Sequence, residues 1–592
     1  MLSRDDIENK YKWDIDNFKK DLDKENKIKE VNKLVDNIKE YKNKILDNDN
    51  LLKVLDLKKE LDLIMSNYYI YSNMKLHEDI SNNENQKYRN EIEDIYTNIE
   101  KELSFITPEI LKNDYKVIEE KIKNYKDLEQ YKFYLEKLFR YKKHTLSEKE
   151  EKILSSLSSV LSSFDKIYEV FTCSELEFKK IKNEDNKLVD FNEIVYSKYI
   201  KSNNRNIRKN AFNNLFDGYR KYQNTLFENY IPNIKTETTI ANIRGFDSAL
   251  EASLYNDNIN KEVYVNLINI INNNLSELQK YLDIKKDMLN VDELHMYDLY
   301  APIIKDYTKE YTYDEAIVIV KNSLSILGKD YKNILNKVFS ENWIDVYPNK
   351  NKRNGAYSWG TYESKPYILT NYNKSLNSIS TLAHEIGHSI HSYLSNQNQK
   401  FIYSSYPIVL AEIASITNEL LFNDYMLKNT NSKEEKIYIL SNILELYRTT
   451  LFRQTMFAEF EYDIHSKVEE NVTLSCDSVN EIYYDLNKKY FGENIKIDDK
   501  IKYEWLRIPH FFNNFYVYKY ATGLCVASAI AGDIINNVEG VKEKYIKFLS
   551  SGCSKYPLEL LNDLGYKLDD PNTIEKSISL FKKYIKDLEK LK

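Results

Sequence analysis

Glycine and proline are scarce in this 592-residue chain, at 12 and 9 copies. No glycine precedes Gly218, and Pro108 is the only proline before it. The first third therefore lacks the usual helix breakers and is expected to be mostly helix. Cysteine is rarer still. Cys173, Cys476, Cys525 and Cys553 stand far apart with no CxxC pair, which excludes a thiolate zinc site and a disulfide framework and suits a reducing compartment. Long apolar runs are missing as well. The stretch from Met1 to Ile15 is polar and offers no signal-peptide core, and Leu524 to Ile535 is too short to cross a bilayer and is broken by Asp533. No membrane partner is expected, and the expected location is the cytoplasm. Charge of one sign is not concentrated either: the net charge is −7, and no basic segment offers a nucleic-acid groove, so nucleic acid is not an expected partner.

What is there describes a foldable globular protein, 42% hydrophobic and 30% charged, long enough for two or three lobes. Ile28, Val31, Val35, Ile38, Tyr41 and Ile45 recur at helical spacing, as do Tyr88, Ile92, Ile95, Ile99 and Leu103. Pro108, between Thr107 and Glu109, reads as the first turn of a capped helix. The segments shift phase too often for a long coiled coil, and no repeat of solenoid length is present. Two places suggest β structure. Between Leu176 and Val195 the turn-prone Asn183-Glu184-Asp185-Asn186 separates short apolar pieces, predicting a small hairpin. From Gly355 to Tyr372 the alternation of Tyr367, Leu369 and Asn371 predicts a strand, placed at a sheet edge because Pro366 cannot donate a ladder hydrogen bond. The fold class expected is mainly α with a small β-sheet.

The chemistry lies in TLAHEIGHSIHSYL, residues 381 to 394. On a helix, His384 and His388 are one turn apart, so both imidazoles can reach one Zn²⁺. Glu385 is then beside the metal without binding it, placed to take a proton from the attacking water. With eight histidines in the chain, an accidental HExxH is expected in on the order of one such chain per hundred. Two same-face histidines flanking a glutamate also fit poorly in an apolar core. A third ligand is required. The extended HExxHxxGxxH pattern would need glycine at 391 and histidine at 394, where this chain has His391 and Leu394, so the three-histidine class is excluded. Glu412 lies on the next helical stretch, YPIVLAEIASITNELLF, among Val409, Leu410, Ile413, Ile416 and Leu420, where a carboxylate needs a partner. It is assigned as the third ligand, and Glu419, two turns further along, as a carboxylate orienting a ligand histidine.

At these residues the sequence resembles the oligoendopeptidase F branch of the thimet-oligopeptidase-like zinc peptidases. HEIGHSIHSY and LAEIASITNEL look like that family's metal motif and third-ligand helix. The likeness extends to YKWDID near Trp13, GAYSWGTY at 355 to 362, LFRQTMFAEFE at 451 to 461, IPHFFNNFYVYKYATG at 508 to 523 and SGCSKYPLELL at 551 to 561. Cys553 departs from it, since the family tends to have a small residue there. The resemblance implies a two-lobed helical molecule with a deep channel, an N-terminal helical domain over 1–200 and a catalytic zinc peptidase domain over 201–592. It also implies one Zn²⁺ per chain and short peptides as substrates. The segment from His510 to Tyr520 is rich in oxyanion-donor types, with His510, Tyr516, Tyr518 and Tyr520 as candidates, and on a helix Tyr518 would point about 200° away from Tyr516; composition alone makes a Tyr cluster packing, and the resemblance singles out His510 and Tyr516, with Tyr520 beside them. The strand before the metal helix would suit strand addition by an extended peptide.

Two rival readings follow from the same residues. A zinc carboxypeptidase or dipeptidyl carboxypeptidase would share the metal site and add a cationic clamp for the substrate carboxylate, for which Arg453 is the candidate. A non-enzymatic helical interaction protein would not need Glu385, both histidines and Glu412 intact.

Overall fold

The computed structural model describes residues 2–18, 24–305 and 307–592. Helices dominate, and seven strands of two or three residues form three small sheets among the described residues. The strands are β1 (Ile181–Lys182), β2 (Leu188–Val189), β3 (Leu294–His295), β4 (Ile344–Asp345), β5 (Tyr357–Trp359), β6 (Tyr367–Leu369) and β7 (Ile495–Lys496).

The chain divides into two compact units that each gather three separate segments. The first is Met1–Lys143, Thr308–Tyr425 and Asp533–Gly565; the second is His144–Tyr307, Met426–Gly532 and Tyr566–Lys592. Each unit is thus closed by segments distant in sequence.

In the first unit the helical periodicities become helices Lys24–Lys39, Asn50–Glu78 and Asn83–Glu102. Val31, Val35 and Ile38 from the first, Leu51, Leu61 and Met65 from the second, and Ile92 and Ile99 from the third meet in one apolar core. The first helix stops at Lys39, so Tyr41 and Ile45 reach the same core from turns rather than from a helix. Pro108 does sit in the first turn of a helix, Ile106–Leu111, but that helix starts before Thr107 and its N-cap residue Phe105 makes no side-chain cap bond.

A three-stranded sheet in the same unit has the order β4-β6-β5, with β4 parallel and β5 antiparallel to β6. The strand expected at an edge is therefore the central one. Pro366 immediately precedes β6 and occupies a strand-start position, where its missing N–H disrupts no ladder; the partner that periodicity cannot show is the two-residue β4. The true edge is β5. Trp13 packs with Tyr71, Met74, Tyr367 and Leu369 in a second cluster, and its indole N–H donates to Glu78 at 2.7 Å, fastening the N-terminal segment beside the sheet.

In the second unit β1 and β2 pair antiparallel around Asn183 to Asn186, with Asn186 left-handed at φ 62°, so the hairpin forms where its turn chemistry placed it. β3 and β7 pair in parallel across 200 residues of sequence.

Candidate metal centre

The HEIGH helix runs Leu376–Asn398 and starts on Ser375, whose side chain accepts from the Ser378 N–H. The next long helix is Ile408–Asn429 and carries Glu412 and Glu419. Both lie in the first unit over these residues. Their approach is set by Gly387: a Cβ built there would stand 2.6 Å from Ser415 Cα and 2.7 Å from the Ala414 carbonyl oxygen. Only a hydrogen fits in that gap. The contact is locked on one side by Asn418, which donates to the Ala383 carbonyl at 3.1 Å and accepts from the Tyr331 hydroxyl at 2.8 Å. On the other side Ser389 donates to the Pro366 carbonyl at 2.6 Å and meets Ser358 of β5 at 2.9 Å, tying the helix to the sheet.

The result is a convergent donor set. His384 Nε2 lies 3.5 Å and His388 Nε2 3.7 Å from Glu412 Oε2, and one ligand atom from each residue falls within 4.8 Å of the others. Two ligands of a tetrahedral zinc at about 2.0–2.1 Å stand roughly 3.3 Å apart, so the observed separations are slightly wider than a loaded site and need only a small closure. Two imidazoles with one carboxylate suit zinc chemically. Among the described residues this is the one group of three such side chains that could hold a metal.

The surroundings prepare the ligands. The Nδ1–H of His384 points to Glu419 Oε2 at 3.3 Å, and Ser380 donates to the other oxygen at 3.3 Å. A carboxylate on Nδ1 fixes the tautomer that leaves Nε2 free to bind. Ser415 donates to Glu412 Oε2 at 3.0 Å. Burial disfavours charge on His384, but the Glu419 hydrogen bond and the charges of Glu419, Glu385 and Glu412 outweigh it and push the imidazole up to about 9, so a metal binding at Nε2 would release a proton from it. His388 moves the other way, down to about 4, because burial and the neighbouring His384 charge prevail over Glu412. Glu385 is 7% exposed, and burial pushes its carboxyl up to about 7 against the pull of His384 and the Ser358 N–H. A carboxyl poised near neutrality matches the demand on a general base.

The other sequence-selected residues fall into place as follows. His391 is not a ligand: it is buried, stacks on Tyr406 with ring centroids 3.7 Å apart, and is kept neutral by burial, which lowers it to about 3. His510, Tyr516 and Tyr520 lie in the second unit and cluster there. Ring centroids are 6.2 Å apart for His510–Tyr516, 5.9 Å for His510–Tyr520 and 5.4 Å for Tyr516–Tyr520. All three are partly exposed. Tyr518 is buried with its ring against Tyr264. Tyr516 precedes the helix, which runs Tyr518–Ile535, so the expectation that both tyrosines share a helix needs correcting. Tyr516 lies between the left-handed Phe515 and the start of that helix, so helical rotation does not relate the two rings. Arg453 is occupied by Glu504 at 2.6 Å and lies over the Phe457 ring, which removes it as the carboxylate clamp. Sequence reasoning missed Gly387, Ser415 and Asn418. Glycine inside a strongly helical motif was a readable signal for the first; the other two look like ordinary helix positions.

Peptidase family M3 matches residues 198–580, and Oligopeptidase F matches residues 109–178. The chain is 38% identical to Oligopeptidase PepF of Bacillus subtilis, over 95% of this chain and 84% of that one. It is 36% identical to an oligoendopeptidase F homolog of Borreliella burgdorferi over the full length of both. The crystal structure of oligoendopeptidase-F from Enterococcus faecium superposes with a TM-score of 0.76 at 29% identity, covering 96% of this chain and 99% of that one.

Proposed function

Because the chain belongs to peptidase family M3, in its oligoendopeptidase F branch, we propose that it is a zinc-dependent endopeptidase of the cytoplasm that cuts internal bonds of short, unstructured peptides. The observation that carries this reading is the convergence of His384, His388 and Glu412, with the buried Glu385 carboxyl beside them. Four free cysteines fit a reducing compartment, and among the described residues no helix is long and apolar enough to cross a membrane.

In this reading His384, His388 and Glu412 hold one Zn²⁺, and Glu419 keeps His384 in the binding tautomer. Zinc, when bound, supplies the Lewis acid that polarises the scissile carbonyl and acidifies water. Glu385 accepts the proton of the attacking water and passes it to the leaving amine. Tyr516, His510 and Tyr520 are assigned to donate hydrogen bonds to the oxyanion as it develops.

The purified protein is expected to carry about one zinc per chain and to cleave an internally quenched peptide blocked at both ends. Chelation should abolish cleavage, and zinc or cobalt should restore it. Full activity in metal-free protein, or cleavage only of peptides with free C-termini, would sink the proposal. The oxyanion assignment has its own comparison. Tyr516→Phe removes one hydroxyl from a partly exposed ring, so zinc and fold should survive while turnover falls by roughly a hundredfold with little change in KM. Tyr518→Phe removes a buried hydroxyl that has no hydrogen-bond partner and should be silent or slightly stabilising. The reverse pattern in steady-state kinetics would show that the wrong tyrosine had been assigned.

A further inference from the structure

Just ahead of the helix Tyr518–Ile535 the chain turns on Phe515, a bulky residue with φ of 54°. A large L-residue stays in the left-handed region only when its surroundings over-determine it. In the second compact unit three contacts do so. The Phe515 N–H donates to Glu461 Oε1 at 3.0 Å. The buried Phe515 ring packs on His465, with centroids 4.4 Å apart, and meets Tyr264 edge-on at 5.6 Å. Glu461 and His465 are one turn apart on the helix Arg453–Glu469, so one face of a rigid element grips both the backbone and the side chain of Phe515.

Glu461 is the unexpected member of that grip. It is fully buried, and its second oxygen has no hydrogen-bond partner. Burial pushes its carboxyl up to about 8, with the Phe515 N–H acting in the opposite direction, so at neutral pH it is mostly the uncharged acid. An apolar side chain of the same length would fill the space without the desolvation penalty of a carboxyl. What it could not do is accept the Phe515 N–H.

We propose that Glu461 is a positioning residue for Tyr516: by accepting the Phe515 N–H from a fixed helix, it holds the left-handed turn that presents the Tyr516 hydroxyl beside His510 and Tyr520. The inference rests on the reading of Tyr516 as an oxyanion donor. Two further bonds brace the turn, Ser253 Oγ to the Asn514 carbonyl at 3.0 Å and the Tyr516 N–H to the Asn513 carbonyl at 3.2 Å. Loss of Glu461 should therefore loosen the turn rather than unfold the unit.

The test compares Glu461→Gln, Glu461→Met, Tyr516→Phe and the Glu461→Met/Tyr516→Phe double variant in the zinc-loaded enzyme, reading kcat and KM separately and amide exchange across residues 513–517. Glu461→Gln keeps a neutral acceptor and should retain kcat. Glu461→Met lacks the acceptor and should lower kcat about tenfold or more at nearly constant KM, with zinc retained and exchange across the turn accelerated. The double variant should be no slower than Tyr516→Phe alone, because Glu461 acts through that hydroxyl. If Tyr516→Phe is crippled while Glu461→Met keeps normal kcat and exchange, the proposal is overturned and the reading of Tyr516 stands. Fully multiplicative losses in the double variant would mean that Glu461 acts on general packing, and the proposal falls again. A silent Tyr516→Phe removes the reading of Tyr516 and the role assigned to Glu461 with it. Should Glu461→Met not fold, Glu461→Asp, whose shortened carboxyl cannot reach the Phe515 N–H, must show the same kcat-selective loss, and normal kcat in it overturns the proposal.

Discussion

Glu385→Gln is expected to leave about one zinc per chain in place while lowering turnover by roughly three to four orders of magnitude, near the upper end of what one general base contributes. The substitution changes almost no volume at a position only 7% exposed. The amide oxygen can still accept the Ser358 N–H that now faces the carboxylate, and His384, His388 and Glu412 are untouched. What disappears is the group that takes a proton from water. Burial holds that group near neutrality, where it is basic enough to accept the proton and acidic enough to return it to the leaving amine. Metal analysis alongside single-turnover kinetics separates the possibilities. An emptied site would make Glu385 a ligand, and retained turnover would place the base elsewhere.

Gly387→Ala is the second large effect, and here two physical terms compete. Alanine in a helix interior is favoured over glycine by about 1 kcal/mol, which by itself predicts a more stable protein. The added methyl, however, would stand 2.6 Å from Ser415 Cα and 2.8 Å from the Ala414 carbonyl carbon, where carbon atoms prefer about 3.5–4.0 Å. Both are backbone atoms and cannot rotate away. The helices must separate by about 1 Å, at an overpacking cost of about 1–3 kcal/mol, so the clash prevails over propensity. Ser415 is one turn from Glu412 and bonded to its carboxylate, so the same displacement carries the third ligand away from the two imidazoles. Zinc affinity, measured by chelator competition, should fall by roughly ten- to a hundredfold, and the thermal midpoint should drop. A variant with unchanged affinity and a raised midpoint would show that the helices have room which the close contact denies.

Both experiments probe residues in one short motif, yet the motif announced only one of them. Glu385 was legible because helical periodicity places it beside His384 and His388 whatever the rest of the fold does. Gly387 was readable only as an odd residue for a helix interior; its role was not, because that role is a distance to a second helix. The same division runs through the molecule. Helices of the first 140 residues followed from apolar spacing and the absence of breakers, and the β1–β2 hairpin from its turn residues. Glu412 stood out as a carboxylate among apolar neighbours, with Glu419 two turns on.

What escaped depended on partners remote in sequence. β6 became a central strand because a two-residue segment, Ile344–Asp345, pairs with it, and a piece that short carries no periodicity. Arg453 looked available as a substrate clamp until Glu504, 51 residues away, closed on it. Tyr516 and Tyr518 looked like neighbours on a helix, but the helix begins only at Tyr518, and Tyr516 lies ahead of it, directly after the left-handed Phe515 that Glu461 holds. Local spacing determined that His384, Glu385 and His388 stand together on one helix, since a single turn aligns them without outside help. Only the tertiary structure decided how closely the two ligand helices approach, which strand is the edge, and which tyrosine is exposed, because each of these is a contact between elements whose sequences carry no mark of one another.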